Sequence, residues 1–404
     1  MAPPRVTGLR RTVNRASFHV VSYNEVRTTG EGSLPNAATD GSGSMRHTPL
    51  FDTHVELGAR MVPFGNWEMP VQFGGILNEA RAVRTNAGLF DVSHMGRVEI
   101  GGPDAAGLLN RVLSVDVTKV RRGRARYNVV CDLDGGIIDD CIVFRRVDDS
   151  FLLIPNAANT SPVLDWLRRW SSASHVDIVD VTENTAMIAI QGPEAQAMLQ
   201  AITDADLATL RPFAAVNASI LGVKAFVART GYTGEAGFEL IVPSESSRVI
   251  WLASVERGAA PCGLGARDVL RLEAGLALHG ADIDTSTNPY EAGLERFVDA
   301  DRDEYVAGPA LRHLRDQAVG RKLTGIKMIG RGIARQGHTI TDGHHAIGKV
   351  TSGGPSPTLD TNIGLGYVPT DVSVPGTTVF VDIRGRQVEA ETTTIPFYSR
   401  RLNS

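Results

Sequence analysis

Cysteine is scarce in this 404-residue chain. Cys131, Cys141 and Cys262 are too scattered for a disulfide framework, and none stands in a Cys-x-x-Cys pair that would suggest zinc or redox chemistry. Each reads as a small buried apolar residue, and a reducing compartment is expected. An excess of one charge is also lacking. With 41 Lys+Arg against 45 Asp+Glu the formal net charge is −4, which calls for neither nucleic acid nor an anionic membrane surface. Long apolar runs are missing too. The uncharged stretch from Ser150 to Leu164 is interrupted by Pro155, Asn156, Asn159 and Pro162, well short of the ~20 apolar residues that a spanning helix needs. No internal repeat of fixed period is visible.

What is present is ordinary for a soluble globular protein: 42% apolar and 21% charged residues, in a length that suits two or three domains. Residues 1–44 stand apart. Arg5, Arg10, Arg11 and Arg15 precede the first acidic residue, Glu25, and the stretch ends in Ser and Gly, so it reads as a disordered leader or an extended start. Met45 followed by Arg46-His47-Thr48-Pro49-Leu50 makes a plausible true start, and the Arg-heavy basic usage, with 5 Lys among the 41, is that of a GC-rich genome. The expected location is therefore cytoplasmic, or mitochondrial if residues 1–44 are a transit peptide.

From Thr48 to about Val298, short β-like runs alternate with helical ones. Val129-Val130, Ile137-Ile138, Ile142–Phe144 and Phe151–Ile154 read as strands, with turn signals at Asp134-Gly135-Gly136 and Asp148-Asp149. Ser161–Trp170 reads as a helix with Pro162 in its first turn. Ala186–Ile190, Val223–Ala228 and Phe238–Val242 read as further strands, and Ser244–Arg257 as an amphipathic helix. The pattern is α+β with antiparallel sheets. Beyond a boundary near residues 300–322, which includes the helical Pro309–Ala318, short strands punctuated by Asp342-Gly343, Gly353-Gly354, Pro375-Gly376 and Arg384-Gly385-Arg386 predict a small β-barrel.

Three constellations can carry chemistry. Asp139-Asp140 precedes the strand beginning at Cys141; neighbours on a strand face opposite ways, so one carboxylate is expected to point inward and the other to stay wet. Beside a polar cleft, a carboxylate stabilises developing positive charge; the plain alternative is a solvated turn. The run Arg229–Glu239 packs three glycines, Tyr232 and two carboxylates into eleven residues, suited to a flat heterocycle stacked on an aromatic wall, with Glu239 free to accept two parallel N–H bonds. A surface hairpin is its alternative. Gly263-Leu264-Gly265 leads into a helix on which Arg267 and Arg271 lie four apart. One of them can face a cleft, or Arg271 can simply pair with Asp268. A phosphate loop is discarded because the dinucleotide fingerprint is missing. Ser93-His94 has no nucleophile elbow around it and reads as a strand edge or cleft wall. His344-His345 lacks partners at ligand spacing, so no metal is expected.

Taken together, the motifs Thr48-Pro49-Leu50-Phe51-Asp52-x-His54, Gly58–Phe64, Trp67-Glu68-Met69-Pro70, Ala82–Thr85, Phe90–Met95, Gly135–Asp140, Gln191-Gly192-Pro193, Arg229–Glu235 and Gly263–Asp268 closely resemble the aminomethyltransferase, or T-protein, family of the glycine cleavage system. The resemblance runs from Thr48 almost to the C-terminus. It implies a three-domain cloverleaf: two interleaved antiparallel α+β domains within 45–305 and a C-terminal β-barrel over 320–404. It implies an enzyme that takes the aminomethyl group from the lipoyl arm of the H-protein, releases ammonia and gives 5,10-methylenetetrahydrofolate, with tetrahydrofolate as acceptor and no metal.

By motif, the resemblance places Asp140 as the key carboxylate beside the folate nitrogen. Tyr127 and Asn156 fall near it, Met95 under the pterin, Tyr232, Glu239 and Arg267 at pterin-binding positions, and Tyr398 over the folate from the C-terminal domain. Two departures stand out. Phe144 occupies a place where many relatives carry tyrosine, which would remove a hydrogen bond near the folate, and Pro355 stands where a bulkier or polar residue is usual. The alternative reading is a folate-dependent demethylase of an amine or sulfonium compound on the same fold. A folate-binding protein of iron–sulfur assembly ranks below it because the cysteine of that family's loop is absent from Gly231–Glu235. An acidic carrier protein would want a basic patch, for which Arg121, Arg122, Arg124 and Arg126 are candidates; a solvated loop is the plain alternative.

Overall fold

The computed structural model describes residues 45–146, 148–172 and 174–400. The expectations for residues 1–44 lie outside the described residues.

Besides a three-stranded sheet of Arg46–His47, Trp67–Gln72 and Arg60–Phe64, two larger sheets organise the chain up to Glu273, and these two are threaded through each other. The six-stranded sheet runs in the order Ala215–Ile220, Val223–Ala228, Gly237–Pro243, Thr185–Gln191, Gly88–Asp91, Ala260–Cys262. The five-stranded sheet runs Arg124–Cys131, Ile137–Arg145, Phe151–Ile154, Val98–Gly101, Asp177–Asp180. Every strand of the second lies between Gly88–Asp91 and Thr185–Gln191 in sequence, so the chain leaves the first sheet, builds the second and returns. The α+β expectation holds, with one correction to its antiparallel rule. Ala260–Cys262 pairs parallel with Gly88–Asp91, and Arg46–His47 pairs parallel with Trp67–Gln72. The first follows from the helix Ser247–Glu256, a crossover that returns the chain to the sheet in its original direction.

A second correction concerns the aspartates. Ile137-Ile138 and Ile142–Phe144 are one strand, Ile137–Arg145, with Asp139 and Asp140 inside it. Polar residues are tolerated there because the backbone ladder continues through them, Val130 opposite Asp139 and Val129 opposite Asp140. The strand Arg124–Cys131 likewise extends the Val129-Val130 run, which lifts Arg124 and Arg126 out of the expected loop. The helix Thr160–Ser171 keeps Pro162 in its first turn and turns Val163, Leu164 and Leu167 to the core.

Alternation along the strands divides the cores. One face of the six-stranded sheet buries Ile188, Leu240, Ile250 and Trp251. Its other face presents Met187 and Ala189 to Phe144, Leu152 and Ile154 of the five-stranded sheet, closed by Val83 and Leu270 from helices Ile76–Thr85 and Leu264–Glu273. Phe144 meets Phe226 edge to face at 5.2 Å, so the phenyl ring suits an apolar site where a hydroxyl would need a partner. Helix Leu264–Glu273 sits flush on its neighbours because Gly263 has no side chain; a Cβ there would lie 2.3 Å from the carbonyl carbon of Val71.

After helix Gly308–Asp316, six strands close a barrel: Arg321–Met328, Thr361–Pro369, Ala346–Ser356, Thr339–Thr341, Thr378–Ile383 and Arg386–Thr393. Its interior is Ile326, Ile340, Val350, Val379, Val381 and Ala390, with burial of each large aliphatic side chain contributing about 1.5–3 kcal/mol. Buried charges dock the barrel on the preceding region. Arg271 Nη2 donates to Ser352 Oγ at 2.7 Å and Nη1 to Asp282 Oδ2 at 2.6 Å. Glu273 accepts from Ser356 Oγ at 2.5 Å, Thr358 Oγ1 at 2.8 Å and Arg84 Nη2 at 2.7 Å.

Candidate active site

The two aspartates anchor the site. Asp139 is fully buried and Asp140 lies on the opposite face of the strand, partly open toward the cleft. The expected wet carboxylate is therefore held in a polar nest. Its partners come from the segment entering helix Thr160–Ser171. Asn156 N donates to Asp139 Oδ2 at 3.0 Å, and its Nδ2 lies 2.8 Å from Asp139 Oδ1 and 2.9 Å from Asp140 Oδ1. Asn159 Nδ2 donates to Asp139 Oδ1 at 2.6 Å, and Tyr127 Oη donates to Asp140 Oδ2 at 3.0 Å. Burial pushes both carboxyls upward, and the neighbouring Asp140 charge pushes Asp139 further. For Asp140, the hydrogen bonds from Tyr127 and Asn156 oppose burial. Two adjacent buried carboxylates repel, which makes ionising both together costly.

Above this pair opens a cavity lined by Phe64, His94, Met95, Asn156, Tyr232, Leu264, Arg267, Leu278 and His279. The Arg267 guanidinium lies 4.5 Å from the centre of the Tyr232 ring, a cation stacked on an aromatic face. The Tyr232 hydroxyl is tied to the Ala277 carbonyl, which locks the ring as a wall. Burial lowers the Arg267 pKa from its ordinary value, but the group remains a fixed cation. Glu239 sits on the inner face of Gly237–Pro243, opposite Phe238, and accepts from Thr230 Oγ1. Burial raises its pKa while Thr230 and the charge of Arg267 hold it down.

Of the residues expected from sequence, Met95, Asn156, Tyr232 and Arg267 line one cavity, Asp140 and Tyr127 adjoin it through Asn156, and Glu239 feels the charge of Arg267. Tyr398 lies elsewhere. Its ring stacks under the Arg84 guanidinium at 4.0 Å and its hydroxyl donates to Glu235 Oε1 at 2.7 Å. Arg271 takes its expected partner Asp268 at 2.7 Å, and Asp282 as well. His94 proves to be a cleft wall, edge-on to Phe64 at 5.7 Å. It stands behind Asp91, whose carboxylate accepts from Thr48 Oγ1 at 2.6 Å, His54 Nε2 at 2.9 Å and Ser93 N at 2.9 Å. Burial would raise the Asp91 pKa, but these bonds hold it at about 2.

Sequence reasoning missed Asp139 as the fully buried partner of Asp140, Asn159 as its donor, and His279. Asn159 had a readable signal in its position three residues after Asn156 at a helix start; His279 had none. Among the described residues no group of three or more His, Cys, Asp or Glu is arranged to hold a metal, and no helix is long and apolar enough to cross a membrane.

A second recess, of about 640 Å³, opens beside the first and is lined by Arg121, Arg124, Arg126, Arg211 and Arg296, with Lys119 paired to Asp116 and Asp299. Phe297 lies between them, its ring 4.6 Å from Tyr127. Of the expected basic patch, Arg122 does not line the recess and pairs with Asp149 instead.

Comparison with known proteins shows the family and the fold. Residues 50–302 match the GCVT N-terminal domain, and residues 321–399 match the glycine cleavage T-protein C-terminal barrel domain. The chain is 45% identical to the aminomethyltransferase of Geobacillus kaustophilus, over 88% of this chain and 99% of that protein. It is 46% identical to that of Rubrobacter xylanophilus, over 89% and 96%. The crystal structure of glycine cleavage system aminomethyltransferase T from Bartonella henselae superposes with a TM-score of 0.84 at 32% identity, covering 89% of this chain and 99% of that one. With both family domains matched in order and whole-length relatives above 40% identity, the chain belongs to the glycine cleavage T-protein family of aminomethyltransferases.

Proposed function

We propose that this aminomethyltransferase takes the aminomethyl group from the dihydrolipoyl arm of a lipoylated H-protein, releases ammonia and transfers the one-carbon unit to tetrahydrofolate. The observation that carries the reading is the charge arrangement: an Asp140 carboxylate beside a cavity walled by the stacked Arg267–Tyr232 pair. In this reading the pterin lies against Tyr232 and Met95, with Arg267 and Glu239 holding its polar edges. Loss of ammonia from the S-aminomethyl carbon leaves a cationic carbon stabilised by the adjoining sulfur. A carboxylate already oriented by Tyr127 and Asn156 stabilises that charge without reorganising. Folate ends in glutamate carboxylates, and the basic recess next to Phe297 supplies their counter-charge. The bacterial source of the relatives supports a cytoplasmic setting.

The test is formation of 5,10-methylenetetrahydrofolate and ammonia from aminomethylated H-protein by the wild type and by Asp140→Asn in parallel. The substitution is expected to lower turnover by at least about 10²-fold with folate affinity intact, the scale of losing one preorganised electrostatic contact in a dry site. A wild type that binds folate yet makes neither product would point to a demethylase, with amine donors to be screened next.

A further inference from the structure

The cavity contains a proton-exchanging side chain that the function so far does not use. His279 lies on the segment after helix Leu264–Glu273 and lines the cavity with Asn156, Tyr232 and Arg267. Its Nε2 is 3.1 Å from the Ile137 carbonyl oxygen. A carbonyl only accepts, so Nε2 carries the hydrogen and, in the neutral ring, Nδ1 keeps its lone pair. Nδ1 has no hydrogen-bond partner among the described residues.

The ring is also held in place. Arg271 Nη1 donates to the Leu276 carbonyl at 3.2 Å, Tyr232 to that of Ala277, Leu278 N to Asp282 Oδ2 at 2.9 Å and Gly280 N to the Ile283 carbonyl at 2.8 Å. A loop braced this closely presents one tautomer in one position.

Resting on the function proposed above, we infer that Nδ1 of His279 is the proton carrier of the transfer, taking the proton of the attacking folate nitrogen and returning it to the departing lipoyl sulfur. The aminomethyl nitrogen, protonated as –NH3+, leaves as ammonia with the electron pair of its bond to carbon, and the lone pair of a folate N–H forms a new C–N bond. That nitrogen then gives its proton to Nδ1. The C–S bond next breaks, its pair staying on sulfur, and the imidazolium protonates the thiolate. The second folate nitrogen closes the ring and loses its proton to water. Nothing is oxidised or reduced.

The groups around the ring are Asp140 on its strand, Tyr232 opposite, and Arg267, Asp268 and Arg271 on the helix. His94, the cavity's other histidine, is kept neutral by burial down to about pH 3, so it does not titrate with the reaction near neutrality.

The test uses the full chain with aminomethylated H-protein and tetrahydrofolate. His279→Gln keeps an N–H for the Ile137 carbonyl and does not titrate; His279→Ala leaves room for added imidazole. His279→Gln is expected to lose about 10²-fold or more in kcat and to hold KM for folate within about twofold. Imidazole is expected to restore His279→Ala in part, in proportion to its free-base form. Turnover of His279→Gln at the wild-type rate, a loss of folate affinity in place of kcat, or a folded His279→Ala that imidazole does not rescue would each overturn the inference. An inactive wild type would instead overturn the function it rests on.

Discussion

The barrel and the two-sheet region bury polar groups in opposite ways. Among the described residues, the barrel's buried polar side chains are Thr324, Thr341, Ser352, Ser356 and Thr392, all hydroxyls. At the same depth the two-sheet region and its flanking helices hold His54, Glu79, Asp91, His94, Arg97, Asp139, Glu239, Arg271, Glu273 and Asp282. A hydroxyl needs one partner and carries no charge, whereas each buried ion needs a counter-ion or several hydrogen bonds. The difference separates a domain built to hold shape from a region built to hold charge beside a substrate, and the helix Leu264–Glu273 joins them, with Arg267 toward the cavity and Arg271 and Glu273 toward the barrel.

That contrast can be broken at its joint, where the largest effect is expected. Arg271→Met leaves Asp282 buried without its counter-ion, and unfolding in urea should show a loss of about 3–5 kcal/mol. If the loss is under about 1 kcal/mol, the ion pair is not what docks the barrel. Within the barrel, Val381→Ala removes two methyl groups from a fully buried site. It should cost about 2 kcal/mol of stability with kcat unchanged, and a changed kcat would show that the barrel takes part in the chemistry.

On the charged side, Glu239→Gln keeps an acceptor for Thr230 but leaves one fewer for a pterin edge. Folate titration should show about tenfold weaker binding, or about 1.4 kcal/mol; unchanged affinity would move the pterin edge elsewhere. The smallest effect belongs to His94, whose pKa burial depresses to about 3. A base depressed in the folded state stays neutral while the unfolded chain takes up a proton, so its contribution to stability is complete above about pH 7 and is lost on acidification. Between pH 7 and pH 6 the loss is about 0.7 kcal/mol. Replacement by Asn should flatten that slope, measured by chemical denaturation at several pH values.

The fold was legible where periodicity was clean. Val223–Ala228 has the bounds that its short apolar run predicts, and Thr160–Ser171 differs from expectation by one residue at each end. Reading failed at Ile137–Arg145, where two aspartates in the middle of a strand look like a turn until Asn156 and Asn159 arrive from another segment. It failed likewise for Arg124 and Arg126, whose charges suggested a loop although the backbone pairs with Arg145 and Val143.

Sequence alone determined the family, through a series of motifs from Thr48 to Asp268, and the residue types that crowd the cavity: Tyr127, Asp140, Asn156, Tyr232 and Arg267. It also determined that Phe238 and Glu239 face opposite ways, because a strand allows nothing else. Only the tertiary structure decided how deeply Asp139 is buried and which donors hold it, since those donors sit some 15 to 20 residues away in sequence. It alone placed Tyr398 on Arg84, and brought the imidazole of His279 to a strand carbonyl 142 residues earlier in the chain. Local pattern encodes periodicity and direction; the charge state of a group and the free edge of a ring depend on neighbours that only the folded chain brings together.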